Sequence, residues 1–191
     1  MTTWTILDEA HADLRAAVEA LTDTDWTRPT PCSEWNVAQV VRHAAGDQLA
    51  YAAAITGEGG PDENPFTPNA DRPDDVATLI SHALAASGAA LSQVAPDATN
   101  VPCPLPIPGL DARTVVAAAA LDAAVHAWDI AVATDQKSPL TTGLAAQLRA
   151  VAGKVAEPLR HYGASAPVVV GDSADAADEL LRFLGRDPAA W

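Results

Sequence analysis

Apolar side chains recur along this chain with the period of an α-helix. In residues 4–21 they are spaced alternately four and three positions apart, as in a helix that packs on its neighbours. Most of the charged residues of this segment fall outside that row. The segment therefore predicts a first helix whose buried face consists of Leu7, His11, Leu14, Val18 and Leu21.

A second helix is predicted over residues 36–56. Asn36 can cap its start, and Gln39 can bond back to the backbone of the cap, as in a capping box. Gly57 supplies the left-handed residue that commonly ends a helix. These signals place His43 two turns inside a helix with well-defined ends.

Four further helices follow, and long proline-rich loops flank the third. The third helix is predicted to open at Pro73, with two aspartates in its first turn. Loops 57–72 and 96–109 contain prolines that break the helical pattern. A short apolar stretch at residues 167–170 is compatible with a strand. The remaining helices are predicted over residues 111–134, 142–161 and 174–184.

Four long helices joined by two long loops describe an all-α fold, a four-helix bundle with long crossover loops. At 191 residues the chain has room for one core. We assign residues 1–136 to the bundle and residues 137–191 to a short helical C-terminal extension of the same single domain. Both a monomer and a homodimer are compatible with the apolar helix faces.

Two polar side chains interrupt the most apolar of these helices. The segment 117–134 is apolar over about five turns, yet it carries Asp122 and His126 four residues apart on one face. Burying both side chains is costly unless they pair with each other or with a third group. A divalent metal ion is the commonest third group for such a pair.

His43 on the second helix supplies a further candidate ligand. Helix bundles commonly build metal sites from inward-facing side chains on different helices. Two imidazoles and one carboxylate, from His43, His126 and Asp122, suit Zn²⁺, with Ni²⁺, Fe²⁺ and Mn²⁺ as alternatives. Three protein ligands leave one position open for water or substrate, as in catalytic zinc sites.

Charge and composition narrow the choice of partners. The chain has 25 acidic and 11 basic residues, a net charge of −14, and so lacks the basic surface that nucleic acids and anionic membranes require. A small-molecule substrate is the expected partner. The chain has only two cysteines and no recognisable signal peptide, which predicts a cytoplasmic protein. It has no charge-free apolar run of ~18 residues, so no membrane span is expected. A disulfide between Cys32 and Cys103 is compatible with the sequence but unsupported by spacing.

Three stretches resemble a known family. They are TPCSEWNVAQVVRHAAGD at residues 30–47, DAAVHAWDIAVATDQ at residues 122–136 and the closing LLRFLGRDPAAW. The first two resemble the DinB-like bundles grouped with the mycothiol-dependent maleylpyruvate isomerases, and the closing stretch is similar to the end of a subgroup described only as metal-binding. The resemblance implies a divalent metal, usually described as zinc, on the residues matching His43, Asp122 and His126.

The resemblance also implies an activity. The metal binds a low-molecular-weight thiol such as mycothiol and lowers its pKa, so that the thiolate adds to an electrophilic substrate. The expected function is accordingly a thiol-dependent S-transferase or isomerase. Two alternatives stay open: a metal-dependent hydrolase of small esters or amides, and a non-catalytic metal-containing binding module.

Two features depart from the isomerase pattern. The isomerases carry glutamate where this chain has Asp122, whose carboxylate stands ~1.5 Å further back, so this ligand can bind through water or shift the metal preference. The isomerases also have a further C-terminal domain, whereas here residues 137–191 follow the predicted bundle. Substrate contacts made by that domain are therefore not carried over.

Two further carboxylates are expected near the metal. Asp129 lies one turn beyond His126 and is expected either to orient the metal-bound imidazole or to pair with an arginine such as Arg42. Asp47, one turn after His43, is predicted to be solvated or to lie just outside the ligands. It replaces Asp122 as a ligand if that residue does not bind.

The roles of four other side chains are less constrained. Tyr51 is the aromatic residue expected to line the pocket, while Trp35 is predicted to be a core anchor. His11 occupies a buried position and either belongs to the core or lines the metal pocket. Cys32 is predicted to be a small buried hydrophobe that packs the turn before the second helix.

Overall fold

The computed structural model describes residues 1–161, 163 and 165–191. In these residues it contains six α-helices, one short 3-10 helix and no strand, so the all-α prediction is confirmed. The α-helices are α1 (Thr5–Glu19), α2 (Val37–Thr56), α3 (Val76–Ser92), α4 (Ala112–Ala133), α5 (Thr142–His161) and α6 (Ala176–Phe183), and the 3-10 helix is Pro188–Ala190.

The central element of the fold is α4, against which α1, α2 and α5 pack. α2 also packs on α3, and α1 contacts α3, so the first four helices form the predicted bundle. α5 and α6 pack on each other within the segment assigned to the C-terminal extension. Nine of the 22 residues of α4 are buried alanines, whose small side chains let neighbouring helices approach closely.

α4 is the helix that comes nearest to a membrane span. By length and composition it is apolar enough to cross a membrane, with a mean hydropathy of 1.6, although Asp122 and Asp129 interrupt it in the sequence. However, 83% of its apolar window is buried inside the fold. A helix that is apolar nearly all round and covered by other helices is typical of a protein core.

The predicted ends of α2 are confirmed. The Asn36 side chain accepts a hydrogen bond from the backbone N–H of Gln39 at 3.0 Å, and the Gln39 side chain accepts one from the backbone N–H of Asn36 at 3.0 Å. This is the expected capping box. Gly57 ends the helix in the left-handed conformation, with φ at 77°. The register of His43 on α2 is therefore set by strong local signals.

The predicted start of α3 is wrong by one turn. Its first helical residue is Val76, because Asp75 caps the helix by accepting a hydrogen bond from the backbone N–H of Thr78 at 2.9 Å. An aspartate at this position satisfies a helix-terminal donor that Pro73 cannot reach with its side chain. Asp75 therefore precedes the first turn instead of lying in it.

The strand at residues 167–170 is not formed. The backbone N–H of Val169 donates to the carbonyl of Arg182 at 2.9 Å, so this segment lies against the C-terminal end of α6. Val170 is almost fully exposed. In the described part of the chain no partner strand is available, and an isolated extended segment has no ladder to join.

The capping box at α2 predicts a measurable loss of stability. Asn36→Ala removes the acceptor for the Gln39 N–H, and we expect the free energy of unfolding to fall by about 1 kcal/mol. Asn36→Asp keeps a side-chain acceptor and is expected to retain most of that stability. Urea denaturation of the three proteins measures both effects, and equal midpoints for Asn36→Ala and the wild type would contradict the prediction.

Candidate metal centre

The imidazole of His43 is held by the loop that follows α2. Its Nδ1 lies 2.8 Å from the backbone carbonyl oxygen of Pro65. A carbonyl oxygen only accepts hydrogen bonds, so Nδ1 carries the hydrogen and donates it. The lone pair of Nε2 is therefore free to bind a cation. Loop 57–72 thus fixes the tautomer of a predicted ligand.

His126 on α4 is held in the same way by a carboxylate. Its Nδ1 lies 3.0 Å from Oδ2 of Asp129, one turn along the helix. The ionised carboxylate accepts this hydrogen bond, so the lone pair of His126 also lies on Nε2. Burial lowers the pKa of His126 to about 4, which keeps the ring neutral at physiological pH. A neutral imidazole is the form that binds metals.

The free nitrogens of both rings point toward carboxylates. Nε2 of His126 lies 3.5 Å from Oδ1 of Asp122, and Nε2 of His43 lies 3.7 Å from Oδ2 of Asp47. The two rings are perpendicular, with centroids 4.7 Å apart. Lone pairs that face carboxylate oxygens repel each other unless a proton or a cation lies between them. The arrangement is electrostatically suited to a bound cation.

One atom from each of three predicted ligands meets at this point. Ligand atoms of His43, Asp122 and His126 all lie within 4.8 Å of one another. Two ring nitrogens and a carboxylate oxygen form a donor set that suits zinc and related divalent ions. By geometry and chemistry the cluster is thus a candidate metal site.

The carboxylate of Asp122 is held by a glutamine on α2. Gln48 is fully buried, and its Nε2 donates to Oδ2 of Asp122 at 3.3 Å and to the carbonyl of Ala119 at 3.0 Å. Its Oε1 accepts from Nε2 of His11 at 2.9 Å and from Oγ of Ser87 at 2.8 Å. Every hydrogen-bonding group of this amide is satisfied, as burial requires.

This network also decides the position of His11. The ring lies in the core and is linked to the ligand cluster through Gln48, whose amide oxygen accepts a hydrogen bond from Nε2 of His11. Burial lowers the pKa of His11 and favours the neutral ring. The structure therefore places His11 behind the predicted ligands, in support of Asp122.

Asp47 and Tyr51 lie on α2 beside the ligand cluster. Burial raises the pKa of Asp122 well above its ordinary value, and the neighbouring Asp47 carboxylate raises it further. Burial also raises the pKa of Asp47, an effect that the nearby His43 partly offsets. Tyr51 is buried, and its pKa is raised by burial and by these two carboxylates. Two crowded carboxylates favour a cation near them.

A second cluster lies on the other side of His126. Asp129 is fully buried and accepts two hydrogen bonds from Arg186, at 2.8 Å to Oδ2 and 3.2 Å to Oδ1. Burial opposes its ionisation, but the Arg186 guanidinium and the His126 hydrogen bond hold the pKa of Asp129 below its ordinary value. The predicted arginine, Arg42, instead pairs with Glu63 at 3.0 Å.

The role predicted for Cys32 needs a correction. Its thiol donates to Oδ2 of Asp129 at 3.2 Å and accepts from Nη2 of Arg186 at 3.3 Å, so it is part of a polar network. Burial raises the pKa of the Cys32 thiol, and Asp129 raises it further. Both Cys32 and Cys103 are free, so the two cysteines do not form a disulfide.

The second cluster has the composition of a metal site but already contains a cation. Cys32, His126 and Asp129 offer ligand atoms within 4.8 Å of one another. The guanidinium of Arg186 donates directly to two of these three side chains. We therefore assign the metal-binding prediction to the cluster of His43, Asp122 and His126.

Aromatic side chains border the ligand cluster. The Trp35 ring lies against His43, with ring centroids 4.7 Å apart. The Phe66 ring, in loop 57–72, has its centroid 6.0 Å from that of His43. Phe66 is 57% exposed, whereas Trp35 is only partly exposed. Trp35 therefore contacts a predicted ligand as well as the core. These two rings provide an apolar border between the cluster and solvent.

Comparison with known proteins places the chain in a family. The mycothiol maleylpyruvate isomerase N-terminal domain family matches residues 7–131. The chain belongs to this DinB-like family. Two uncharacterized proteins of Mycobacterium tuberculosis, from strains CDC 1551 / Oshkosh and ATCC 25618 / H37Rv, are each 30% identical to it over 164 residues. That alignment covers 83% of this chain and 83% of each relative. No solved structure gives a significant match.

Sequence reasoning missed two residues that support the cluster of this DinB-like chain. Gln48 lies inside the matched family region, but a glutamine within a helix carries no signal of burial in a single sequence. Arg186 lies beyond the matched region, 57 positions after its partner Asp129. The sequence contained one signal for such a residue: Asp129 is a carboxylate on an apolar helix, and a buried carboxylate needs a cationic partner.

The Gln48 network predicts a large stability difference between two variants. Gln48→Leu removes the acceptor for His11 and Ser87 and the donor to Asp122 and to the Ala119 carbonyl, and we expect a loss of at least about 2 kcal/mol. Ser87→Ala removes one donor and leaves the amide satisfied by His11, with an expected loss of about 1 kcal/mol. Urea denaturation with chelator present measures both, and similar losses would argue against a shared network centred on Gln48.

Proposed function

We propose that this chain binds one divalent metal ion, zinc in the first instance, through His43, Asp122 and His126. The observation that carries the proposal is the shared tautomer of the two histidines. Each ring donates its Nδ1 hydrogen to an oxygen and turns the lone pair of Nε2 toward a carboxylate, that of Asp47 for His43 and that of Asp122 for His126. Metal-binding histidines are commonly oriented in this way.

We further propose that the metal serves a thiol-dependent transfer or isomerisation. Membership of the mycothiol maleylpyruvate isomerase N-terminal domain family supports this choice. When bound, the metal supplies Lewis acidity that lowers the pKa of a thiol such as mycothiol. Three protein ligands leave room for the thiol sulfur at the cluster.

The residues around the cluster have separate roles in this proposal. Asp47 is 22% exposed at its side chain and is positioned to accept the thiol proton at Oδ2. The sulfur then either adds to an electrophilic C=C double bond, whose π electrons take up the proton from Asp47 at the neighbouring carbon, or displaces a halide, which leaves as the anion while Asp47 passes its proton to solvent. Trp35 and Phe66 exclude water from one side of the reacting groups.

The proposed substrate is a small electrophile, and the proposed compartment is the cytoplasm. A net charge of −14 disfavours polyanionic partners. Both cysteines are free, in keeping with a reducing environment.

The metal site predicts a clear difference between histidine variants. Wild-type protein, purified without an affinity tag, is expected to contain roughly one zinc per chain. His43→Ala and His126→Ala are expected to weaken zinc binding by more than about 100-fold, because each removes a ligand. His82→Ala, on the exposed face of α3, is the matched control and should bind as the wild type does. Elemental analysis and chelator competition measure these outcomes, and zinc bound equally by all four proteins would place the metal elsewhere.

The thiol-dependent reaction predicts turnover that requires both thiol and metal. Conjugation of mycothiol to a fluorogenic electrophile such as monochlorobimane is expected with zinc-loaded protein and should disappear on chelation. His43→Ala should be inactive, whereas His82→Ala should be active. Hydrolysis of small esters without thiol would instead favour the metal-dependent hydrolase. Bound zinc with neither activity would favour a binding module.

A further inference from the structure

The turn after α6 brings Arg186 to Asp129 and Cys32, next to the ligand cluster. Leu184 caps α6, and Gly185 follows in the left-handed conformation with φ at 85°. The backbone N–H of Gly185 bonds to the carbonyl of Arg182, and that of Arg186 bonds to the carbonyl of Leu181. This pair of bonds is a Schellman motif, which fixes the direction of the chain after the helix.

Gly185 is the residue that permits this turn. A Cβ at that position would lie 2.5 Å from the Cβ of Ala166 and 2.8 Å from the carbonyl oxygen of Pro167. Both the positive φ and the close approach therefore require glycine. The turn directs the side chain of Arg186 toward α4.

The guanidinium of Arg186 makes hydrogen bonds with three of its nitrogens. Nε and Nη2 contact the two oxygens of Asp129, Nη2 also donates to Cys32, and Nη1 donates to the carbonyl of Leu184 at 3.0 Å. A two-point contact between guanidinium and carboxylate fixes the orientation of both groups. The oxygen Oδ2 that accepts from Arg186 is also the oxygen that accepts from Nδ1 of His126.

We propose that Arg186 is a positioning residue of the metal centre, which acts through Asp129 to orient the ring of His126. This inference depends on the proposed metal site. Nε and Nη2 of Arg186 form a two-pronged fork that holds the carboxylate of Asp129 so that Oδ2 faces Nδ1 of His126. Nε2 of the same ring then faces Asp122. Without Arg186, a fully buried carboxylate lacks its cation and its fixed orientation.

The C-terminal segment therefore completes the site. The family match ends at residue 131, so Arg186 is supplied by a part of the chain outside the matched domain. Since the coupling of two binding events is reciprocal, a metal bound at His126 in turn favours the docked position of α6.

Zinc affinity of Arg186 variants tests the proposal. Arg186→Met is expected to bind zinc about 10–100-fold more weakly than the wild type, the usual effect of losing a group that orients a ligand. Arg186→Lys keeps the charge without the fork and should give a smaller loss. Arg182→Met is the matched control, because Arg182 has a similarly buried side chain that pairs with Asp187 instead. Wild-type affinity in Arg186→Met would overturn the proposal.

A double variant separates positioning from general damage. In an Asp129→Asn background the orienting carboxylate is already lost, so adding Arg186→Met should change zinc affinity by less than about twofold. A full further loss would show that Arg186 acts by another route and would overturn the proposal. The double variant also removes both buried charges together, which favours a folded protein.

A metal-free measurement keeps this inference distinct from the proposed function. In ¹⁵N-labelled apo protein, nuclear magnetic resonance of the histidine rings should show the His126 hydrogen on Nδ1 in the wild type and in Arg182→Met. Arg186→Met should show a mixture of tautomers. An unchanged tautomer in Arg186→Met overturns the positioning role. Absence of zinc from the wild type, with this tautomer shift present, overturns the metal site but upholds the contact chain.

Discussion

The constraint on which the site depends is the satisfaction of buried polar groups inside an alanine-rich bundle. His43 and His126 both donate from Nδ1, one to a backbone carbonyl and one to Asp129. Each ring is then left with a lone pair that faces a carboxylate within 3.7 Å. Since electron-rich atoms do not face each other without a cost, this part of the core favours a proton or a cation between the rings and the carboxylates.

The same requirement joins the fold to the site. A chain of hydrogen bonds crosses the bundle from α1 through Gln48 on α2 to Asp122 on α4, with Ser87 contributed by α3. A helix bundle without such contacts can shift its helices against one another with little penalty. Here a shift of any one helix would leave a buried donor or acceptor without a partner, so the hydrogen bonds specify the packing that also places the ligands.

Local signals made most of the architecture and the predicted ligands accessible from the sequence. The capping box at Asn36 involves only neighbouring residues, and the four-residue spacing of Asp122 and His126 defines one helix face without any tertiary information. The contacts of Arg186 could not be predicted in this way. Arg186 reaches Asp129 through a turn at the end of α6 and is 57 positions away in sequence, and a single sequence contains no record of such pairing. Only the tertiary structure shows that Arg186 is the cationic partner of Asp129.

The orientation of the Asp122 carboxylate is set by its hydrogen bond from Gln48. Gln48 holds one of its oxygens, Oδ2, while Oδ1 is the oxygen nearest to His126. In the proposed metal site, the hydrogen bond from Gln48 fixes the orientation of the Asp122 carboxylate and leaves Oδ1 as the oxygen directed toward the two imidazoles. The shorter aspartate is therefore held in place by a partner on α2, and the position of this carboxylate depends on the packing of α2 against α4.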